Sequence, residues 1–338
     1  MKKTIAILLT LFFTLSWVTG CGSPADNQAT EPATLHIGAL KGPTAMGMVK
    51  LMDDAQNDRI GEDTYEFSIS ASIDDIPPAL LQGRLDIAAV PANLASVLYN
   101  NTDGQIQVLA INTLGVLYIV ENGSSISGID DLKGKTIYAS GKGATPEYAL
   151  NYILLNNGIN PQKDVTIEWK SEHTECVAAI ATDPQAVAML PQPFVTTAQL
   201  KNDQIRIALD LTREWDLVQE REDSDSADSS ASALITGVLV VRKAFAEENP
   251  EAIRTFLDRY ESSVTFVRDN TEAAAELIGA FDIVPANVAA LALPYCNITF
   301  IEGTDMQTQL SGYLQVLYDH NPKSIGGALP LDDFYYQR

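Results

Sequence analysis

The stretch Gln82-Gly83-Arg84-Leu85-Asp86-Ile87-Ala88-Ala89-Val90-Pro91-Ala92-Asn93 decides the fold. Gly83 ends a helix that the sequence predicts over Pro78 to Gln82, and the apolar run Ile87 to Val90 has the length of a buried strand. The chain then turns at Pro91-Ala92-Asn93 and begins a new helix at the carboxyl end of that strand. A helix, a strand and a second helix in direct succession are typical of an α/β protein.

Strand-like and helix-like segments alternate along most of the remaining chain, which predicts an α/β fold with largely parallel sheets. The predicted strands are Leu35 to Leu40, Tyr65 to Ala71, Ile87 to Val90, Gln107 to Ile111, Leu117 to Val120, Thr136 to Ala139, Val165 to Trp169, Val187 to Leu190, Ile205 to Leu209 and Gly237 to Val241. Thr44 is predicted to cap a helix over Ala45 to Asp53, and further helices are predicted over Pro146 to Asn157, Pro193 to Lys201 and Pro250 to Arg268. The acidic, serine-rich segment Glu220 to Ser232 has no apolar periodicity and is predicted to be an exposed, mobile loop.

The amino terminus has the layout of a secretory signal peptide, predicted over residues 1–20. Lysines at positions 2 and 3 precede an apolar run of about 14 residues, shorter than the roughly 20 that a membrane-spanning helix needs. Val18-Thr19-Gly20-Cys21 resembles a bacterial lipobox, which implies a lipid on Cys21. Ordinary cleavage nearby, with Cys21 incidental, is the alternative. Residues 21–34 are predicted to form a flexible tether.

Composition limits the possible functions. A net charge of -22 provides no basic surface for nucleic acid, and three scattered histidines with three cysteines show no metal-ligand spacing. We therefore expect neither a metal nor a cofactor. Cys176 and Cys296 are predicted to lie in different lobes as buried free thiols. The roughly 300 residues after the tether are enough for two lobes.

Three ordered motifs carry a resemblance to a known family. They are Ile73 to Ala88, Asp131-Leu132-Lys133-Gly134-Lys135-Thr136-Ile137 followed by Gly141-Lys142-Gly143, and Pro191-Gln192-Pro193-Phe194. In order and spacing the chain resembles the nitrate/sulfonate/taurine type of ABC transporter substrate-binding proteins, which includes binding proteins for thiamine precursors. It departs from the family at Gln192, where a glutamate is common.

The resemblance implies the type II periplasmic-binding-protein fold, a clamshell of two lobes that close about a hinge. Residues 35–116 with 234–338 would form lobe I, and residues 117–233 would form lobe II. The protein would be an extracytoplasmic monomer, anchored to the bacterial membrane by lipid, that delivers a small molecule to ABC permease subunits.

Ligands of open α/β sheets bind at the carboxyl ends of strands, and this rule predicts the loops of the site. Gly42, Pro43, Thr44 and Ala45 follow the first strand, Asn93 and Thr113 follow two later strands, and Gly143, Ala144 and Thr145 open a helix with glycines that allow close backbone approach. His173, Gln192 and Phe194 complete the predicted set. Helix capping is the alternative for Thr44 and Asn93, a solvated loop residue for His173, and core packing for Phe194.

The ligand class stays open at this point. Lys41 and Lys142 near helix starts favour an anionic ligand, whereas Phe194 allows a heteroaromatic ring. Two other functions are possible: a surface lipoprotein that binds a protein partner, and an enzyme of the same fold, related to a menaquinone branch or to pyrimidine synthases. No nucleophile motif or metal-binding pair supports catalysis, so we expect no enzyme activity.

Overall fold

The structure is a computed structural model that describes residues 32–183, 185–223 and 232–338. Cys21, the predicted signal peptide, most of the tether and residues 224–231 of the acidic segment lie outside the described residues. Within the described ranges, no helix is both long enough and apolar enough to cross a bilayer.

Strands form where apolar and β-branched residues recur, as the sequence predicts. Numbered along the chain, they are β1 Thr34–Leu40, β2 Thr64–Ser70, β3 Ile87–Pro91, β4 Ile106–Leu114, β5 Leu117–Asn122, β6 Thr136–Ser140, β7 Thr166–Lys170, β8 Val187–Pro191, β9 Ile205–Asp210, β10 Ile235–Arg242 and β11 Ile298–Ile301. All ten predicted strands are confirmed within a few residues, and β11 was not predicted.

Helices cover the strands. They are α1 Pro43–Met46, α2 Val49–Gln56, α3 Ile76–Leu81, α4 Ala92–Asn101, α5 Thr145–Asn156, α6 His173–Thr182, α7 Phe194–Lys201, α8 Leu211–Asp223, α9 Lys243–Glu248, α10 Pro250–Asp269, α11 Thr271–Ala280, α12 Ala286–Ala292 and α13 Gly303–His320. Short 3₁₀ turns occupy Ile73–Asp75, Ile129–Leu132, Leu293–Tyr295, Pro322–Ile325 and Asp332–Phe334.

The strands form two sheets, in the orders β11-β4-β10-β3-β1-β2 and β7-β6-β8-β5-β9. In the first sheet β1 pairs in parallel with β2 and β3, while β10 runs antiparallel to its neighbours β3 and β4. In the second sheet β6 pairs in parallel with β7 and β8, and β5 runs antiparallel to β8 and β9. Most strands of each sheet thus run in one direction; β10 and the edge strand β11 are reversed in the first sheet and β5 in the second, and the predicted α/β architecture is confirmed.

We call the first sheet with its helices the first half, and the second sheet with α5 to α8 the second half. One apolar core passes through both halves, since Val90 and Val240 of the first sheet and Ile119 and Ile137 of the second belong to it together with Tyr313 of α13. Two further cores are confined to one half each, one around Ile37 and Phe256 and one around Val120 and Val195. The halves thus share one core, and a contact between α7 and α12 also joins them.

Three local predictions were wrong. The helix expected over Ala45 to Asp53 is broken at Gly47-Met48 into α1 and α2, and α1 begins at Pro43, so Thr44 lies inside it. The loop expected from Glu220 begins later, because α8 extends to Asp223. His173 does not lie in a loop, since it is the first residue of α6.

The two thiols lie where the sequence places them, one in each half. Cys176 on α6 and Cys296 before β11 are both buried and unpaired. Desolvation raises the pKa of Cys176 to about 11 and that of Cys296 to about 12. Both thiols are therefore protonated and unreactive at neutral pH.

Candidate functional site

A cavity of about 250 Å³ lies between loops of the two halves. The first half contributes Lys41 after β1, Ala71 after β2 and the segment Asp282–Pro285 between α11 and α12. The second half contributes Glu172, His173 and Thr174 at the start of α6, and Phe194 and Thr197 of α7. The cavity is therefore built from strand ends and helix starts of both halves, the position that the fold rule predicts.

Two rings form the wall on the side of the second half. The His173 and Phe194 ring centroids are 4.8 Å apart with an interplanar angle of 37°. Nδ1 of His173 shares a short hydrogen bond with Oγ of the buried Ser140 at the end of β6. Desolvation lowers the pKa of His173 to about 4. The imidazole is therefore neutral at pH 7 and offers a polar edge within an aromatic surface.

The opposite wall, from the first half, is apolar with an ion pair at its rim. Ile283 and Val284 are buried, and Pro285 follows them before α12 begins. Nζ of Lys41 lies 3.0 Å from Oδ2 of Asp282, whose side chain is 99% exposed. The Lys41 ammonium is thus already partnered by a carboxylate.

A second group of predicted site residues meets beside this cavity, in a buried polar cluster that joins the halves. Nδ2 of Asn93, at the start of α4, donates to the carbonyl oxygens of Ser324 (2.9 Å) and Gly143 (3.3 Å). Oγ1 of Thr145 donates to Oδ1 of Asn93 (3.3 Å), and the Tyr313 hydroxyl donates to Oγ1 of Thr145 (3.3 Å). We call these five residues the interhalf cluster. Asn93 and Thr145 are fully buried, so the cluster fixes the halves against each other.

The loop Gly141-Lys142-Gly143-Ala144 leads into this cluster. Gly141 and Gly143 have φ angles of +83° and +77°, and a Cβ at Gly141 would lie 2.9 Å from Cγ of Pro146. Glycine is required here by the turn itself. The Gly143 amide donates to Oε2 of Glu147 at 2.6 Å, so the first turn of α5 is capped from within the chain. Ala144 is buried at the helix start.

The predicted residues after β1 lie in the first half near Thr113, which does not follow a strand as expected but lies within β4, because that strand extends to Leu114. Oγ1 of Thr44 donates to the carbonyl oxygen of Leu40 at 3.0 Å, while Pro43 and Ala45 are buried in α1 and Gly42 precedes it with a φ of +137°. Thr113 donates to Oδ1 of Asn112 at 3.2 Å, and a Cβ at Gly237 would collide with both Asn112 and Thr44. Thr44 and Thr113 therefore meet at β10, apart from the cavity wall.

Gln192 is buried, and its side chain binds the first turn of α7, the helix that follows it. Its Oε1 accepts hydrogen bonds from the Thr196 amide (3.3 Å) and hydroxyl (2.9 Å). The structure thus brings His173 and Phe194 to the cavity, Asn93, Gly143 and Thr145 to the interhalf cluster, and leaves Gln192 as a cap of α7.

Sequence reasoning did not assign Thr197 or the segment Asp282–Pro285 to the site. Ser140 directly follows the predicted strand Thr136 to Ala139 and begins the loop, Ser140 to Pro146, in which the sequence predicts ligand contacts. The segment Asp282–Pro285 carries no readable signal, because α11 and α12 on either side of it were not predicted. A larger cavity of about 390 Å³, lined by residues such as Leu114, Val267 and Arg268, belongs to the first half alone and lacks the second wall that a clamshell site needs.

The fold and the cavity between the halves define an α/β solute-binding protein of the clamshell class. Residues 57–290 match the family described as the periplasmic phosphonate substrate-binding protein of ABC transporters. This match spans more than half of the chain, and the protein therefore belongs to that family. A comparison with curated sequences finds no match.

Solved structures agree in fold. An ABC transporter protein from Parabacteroides distasonis is 20% identical, with a TM-score of 0.70 and coverage of 90% of this chain and 99% of that one. The alkanesulfonate-binding protein SsuA from Xanthomonas axonopodis, bound to MOPS, is 16% identical with a TM-score of 0.68, covering 90% and 96%. The aliphatic sulphonate-binding SsuA from Escherichia coli is 18% identical with a TM-score of 0.68, covering 90% and 92%. The predicted family resemblance and fold are confirmed, and the chain is the substrate-binding component of an ABC importer.

Proposed function

We propose that this protein captures one small organic molecule in the cavity between its halves and closes over it by rotation about the segments that connect them. The lobes would comprise residues 35–116 with 234–338, and residues 117–233. The observation that carries the proposal is the cavity itself, because His173 and Phe194 on one side and Ile283 and Val284 on the other belong to different halves. Closure would bury most of a ligand's surface.

The ligand is an organic anion or a heteroaromatic molecule. Relatives of similar fold are named for alkanesulfonates and for nitrate, and the family for phosphonates, which supports an anion. The rings of His173 and Phe194 support the second class. The closed form would be the one that the permease subunits recognise, and the protein itself would leave its ligand chemically unchanged.

Location and assembly are part of the proposal. The lipobox-like Val18-Thr19-Gly20-Cys21 supports lipid attachment at Cys21, with the monomeric protein held at the outer face of the bacterial membrane. Mass spectrometry of the amino-terminal peptide tests this directly. A diacylglyceryl adduct on Cys21, lost together with membrane association in a Cys21→Ser variant, is the expected result, and an unmodified Cys21 within a soluble mature protein would refute the anchor.

A thermal-shift screen tests ligand capture. The panel contains sulfonates, phosphonates, nitrate, amino acids, pyrimidines and vitamins. A ligand at 100 times its Kd stabilises the folded protein by about 2.7 kcal/mol, which raises the melting temperature by roughly 5 °C. Ala71 is an exposed residue of the cavity lining, so Ala71→Trp should fill the cavity and abolish the shift.

The matched control is Ala273→Trp, an exposed position on α11 that does not line the cavity. It should keep the wild-type shift. A ligand whose shift survives Ala71→Trp binds elsewhere, and that result would overturn the proposed site.

A further inference from the structure

We propose that the cavity takes a flat nitrogen heterocycle that is neutral or positively charged, and that it excludes oxyanions such as phosphonates and sulfonates. This inference rests on the proposed function and narrows its ligand class. Three features of the described residues support it: carboxylates lie at the starts of two helices of the second half, the charges of the lining are mainly negative, and the walls are aromatic on one side and apolar on the other.

Carboxylates of the chain itself lie at the starts of two helices of the second half. Free N–H groups at helix starts are the usual binding place for anions. Here Oε2 of Glu147 accepts from the Gly143 amide just before α5, and Oε2 of Glu175 accepts from the amides of Ser171 (2.8 Å) and Glu172 (3.4 Å) just before α6. An incoming oxyanion would have to displace these carboxylates and then remain close to them.

The third helix start is capped as well. Oε1 of Gln192 accepts from the Thr196 amide in the first turn of α7. Glu147, Glu175 and Gln192 thus place an acceptor at the starts of three helices of the second half. The two carboxylates cannot donate a hydrogen bond to a ligand, whereas Nε2 of Gln192 remains a donor.

The charges of the cavity lining also disfavour a negatively charged ligand. Lys41 is the one cation among the lining residues of the described cavity, and its ammonium is paired with Asp282. Glu172 adds a second carboxylate, which accepts a hydrogen bond from the Thr174 hydroxyl at 3.1 Å. Two carboxylates face one ammonium, so the lining attracts a cation or an N–H donor and repels a ligand of negative charge.

The cavity has an aromatic wall and, facing it, an apolar wall. The rings of His173 and Phe194 form one face, and the apolar segment Ile283-Val284-Pro285 forms the other. A planar ring between them gains stacking on the first face and apolar contact on the second, and a cationic ring gains a cation–π contribution. A volume of about 250 Å³ lies at the small end of ligand sites, which suits one or two rings.

Isothermal titration calorimetry at pH 7.5 tests the inference with named probes. The rings are cytosine and benzimidazole, which are uncharged at this pH, and 4-aminopyridine, which is positively charged; the anions are ethylphosphonate, ethanesulfonate and nitrate. We expect at least one ring to bind and none of the anions to do so. Glu172→Gln should weaken a positively charged ring by about tenfold while affecting an uncharged ring much less. Phe194→Leu should weaken both, because the aromatic face is lost.

Glu62→Gln, at an exposed position of the first half outside the cavity lining, is the matched control and should leave every affinity unchanged. Binding of an anion that is abolished by Ala71→Trp overturns the inference and leaves the proposed function standing. The inference also fails if no ring binds, or if a bound ring is insensitive to both Glu172→Gln and Phe194→Leu. The proposed function fails separately, if no compound of the wider screen produces a shift that depends on Ala71.

Discussion

The protonation of His173, a residue of the cavity wall, makes the free energy of unfolding depend on pH. Its pKa is lowered to about 4 in the folded protein, whereas an unfolded chain has the ordinary histidine value of about 6.5. Between these values the unfolded chain binds a proton that the folded protein does not. We therefore predict that the free energy of unfolding falls as the pH is lowered from about 6.5 to about 4. His173→Asn should flatten this dependence in urea titrations at several pH values, and parallel curves for both proteins would contradict the prediction.

Glu121 in β5 should act at lower pH. Its burial alone would raise the pKa, but the Ile126 and Ser125 amides, the Ser125 hydroxyl and Arg206 together hold the pKa below its usual value. The stabilisation from the ionised carboxylate is present above the unfolded value of about 4.5 and is lost as the pH falls through the lower folded value.

We predict that Glu121→Gln lowers stability at pH 7 and makes it less dependent on pH below about 4.5. Chemical denaturation at pH 7, 4.5 and 3.5 measures this, with Glu62→Gln as the exposed control. Equal losses of stability on acidification for the Glu121→Gln variant and the wild type would disprove the role assigned to the carboxylate.

Single residues of the site were predictable where their role is local. The glycines at 141 and 143 mark a turn that the structure confirms, with positive φ at both. Glu147 lies four residues after Gly143 and could have been recognised as the acceptor of the Gly143 amide. The pairing of His173 with Phe194 could not, because it joins α6 to α7 and depends on how the two helices pack on the second sheet.

The connection between β4 and β5, which joins the two halves, packs closely against the start of α8. Gly115 lies between β4 and β5, and a Cβ there would lie 2.1 Å from Oγ1 of Thr212 at the start of α8. We predict that Gly115→Ala destabilises the fold by about 1 to 3 kcal/mol through overpacking. Adding Thr212→Ala removes the two nearest atoms and should restore part of this loss. Thermal denaturation of the three variants measures it, and an unchanged loss in the double variant would exclude the steric explanation.

Elements were predictable when their apolar pattern was strong. Strands β3 and β8 are continuous apolar runs, which burial on both faces of a sheet requires, whereas the edge strands β2 and β7 alternate apolar and polar residues. Helix α8 escaped detection because its acidic and basic residues obscure a buried face that includes Trp215 and Val218. Strand β11 is four residues long and pairs at the edge of the first sheet, a position that chain-distant contacts determine and local sequence does not.

Across the whole molecule, the interhalf cluster sets how easily the halves part. Asn93→Ala removes the hydrogen bonds of its amide to Gly143 and from Thr145, which join different halves. Each contributes about 1 kcal/mol, so the population with parted halves should rise roughly thirtyfold. Energy transfer between dyes on cysteines introduced at Lys163 and Glu272 measures the change in a protein that also carries Cys21→Ser, since both positions are exposed and Cys176 and Cys296 are buried.

Asn100→Ala is the matched control on the same helix. Its side-chain amide donates to the carbonyl oxygens of Ile325 and Ala328 in the carboxyl-terminal segment. Both of these bonds lie within the first half. The variant should lose stability without a change in the distance between the dyes. If both variants gave the same distance distribution, the interhalf cluster would not control opening.

The shared apolar core has a consequence for solute exchange. The halves are joined through α4, α5 and α13, whereas on the far side of the cavity they touch where α7 meets α12. If the halves open as proposed, the contact between α7 and α12 must break. We therefore expect substitutions at that contact to change how fast a solute exchanges, and substitutions in the cavity walls to change how tightly it binds.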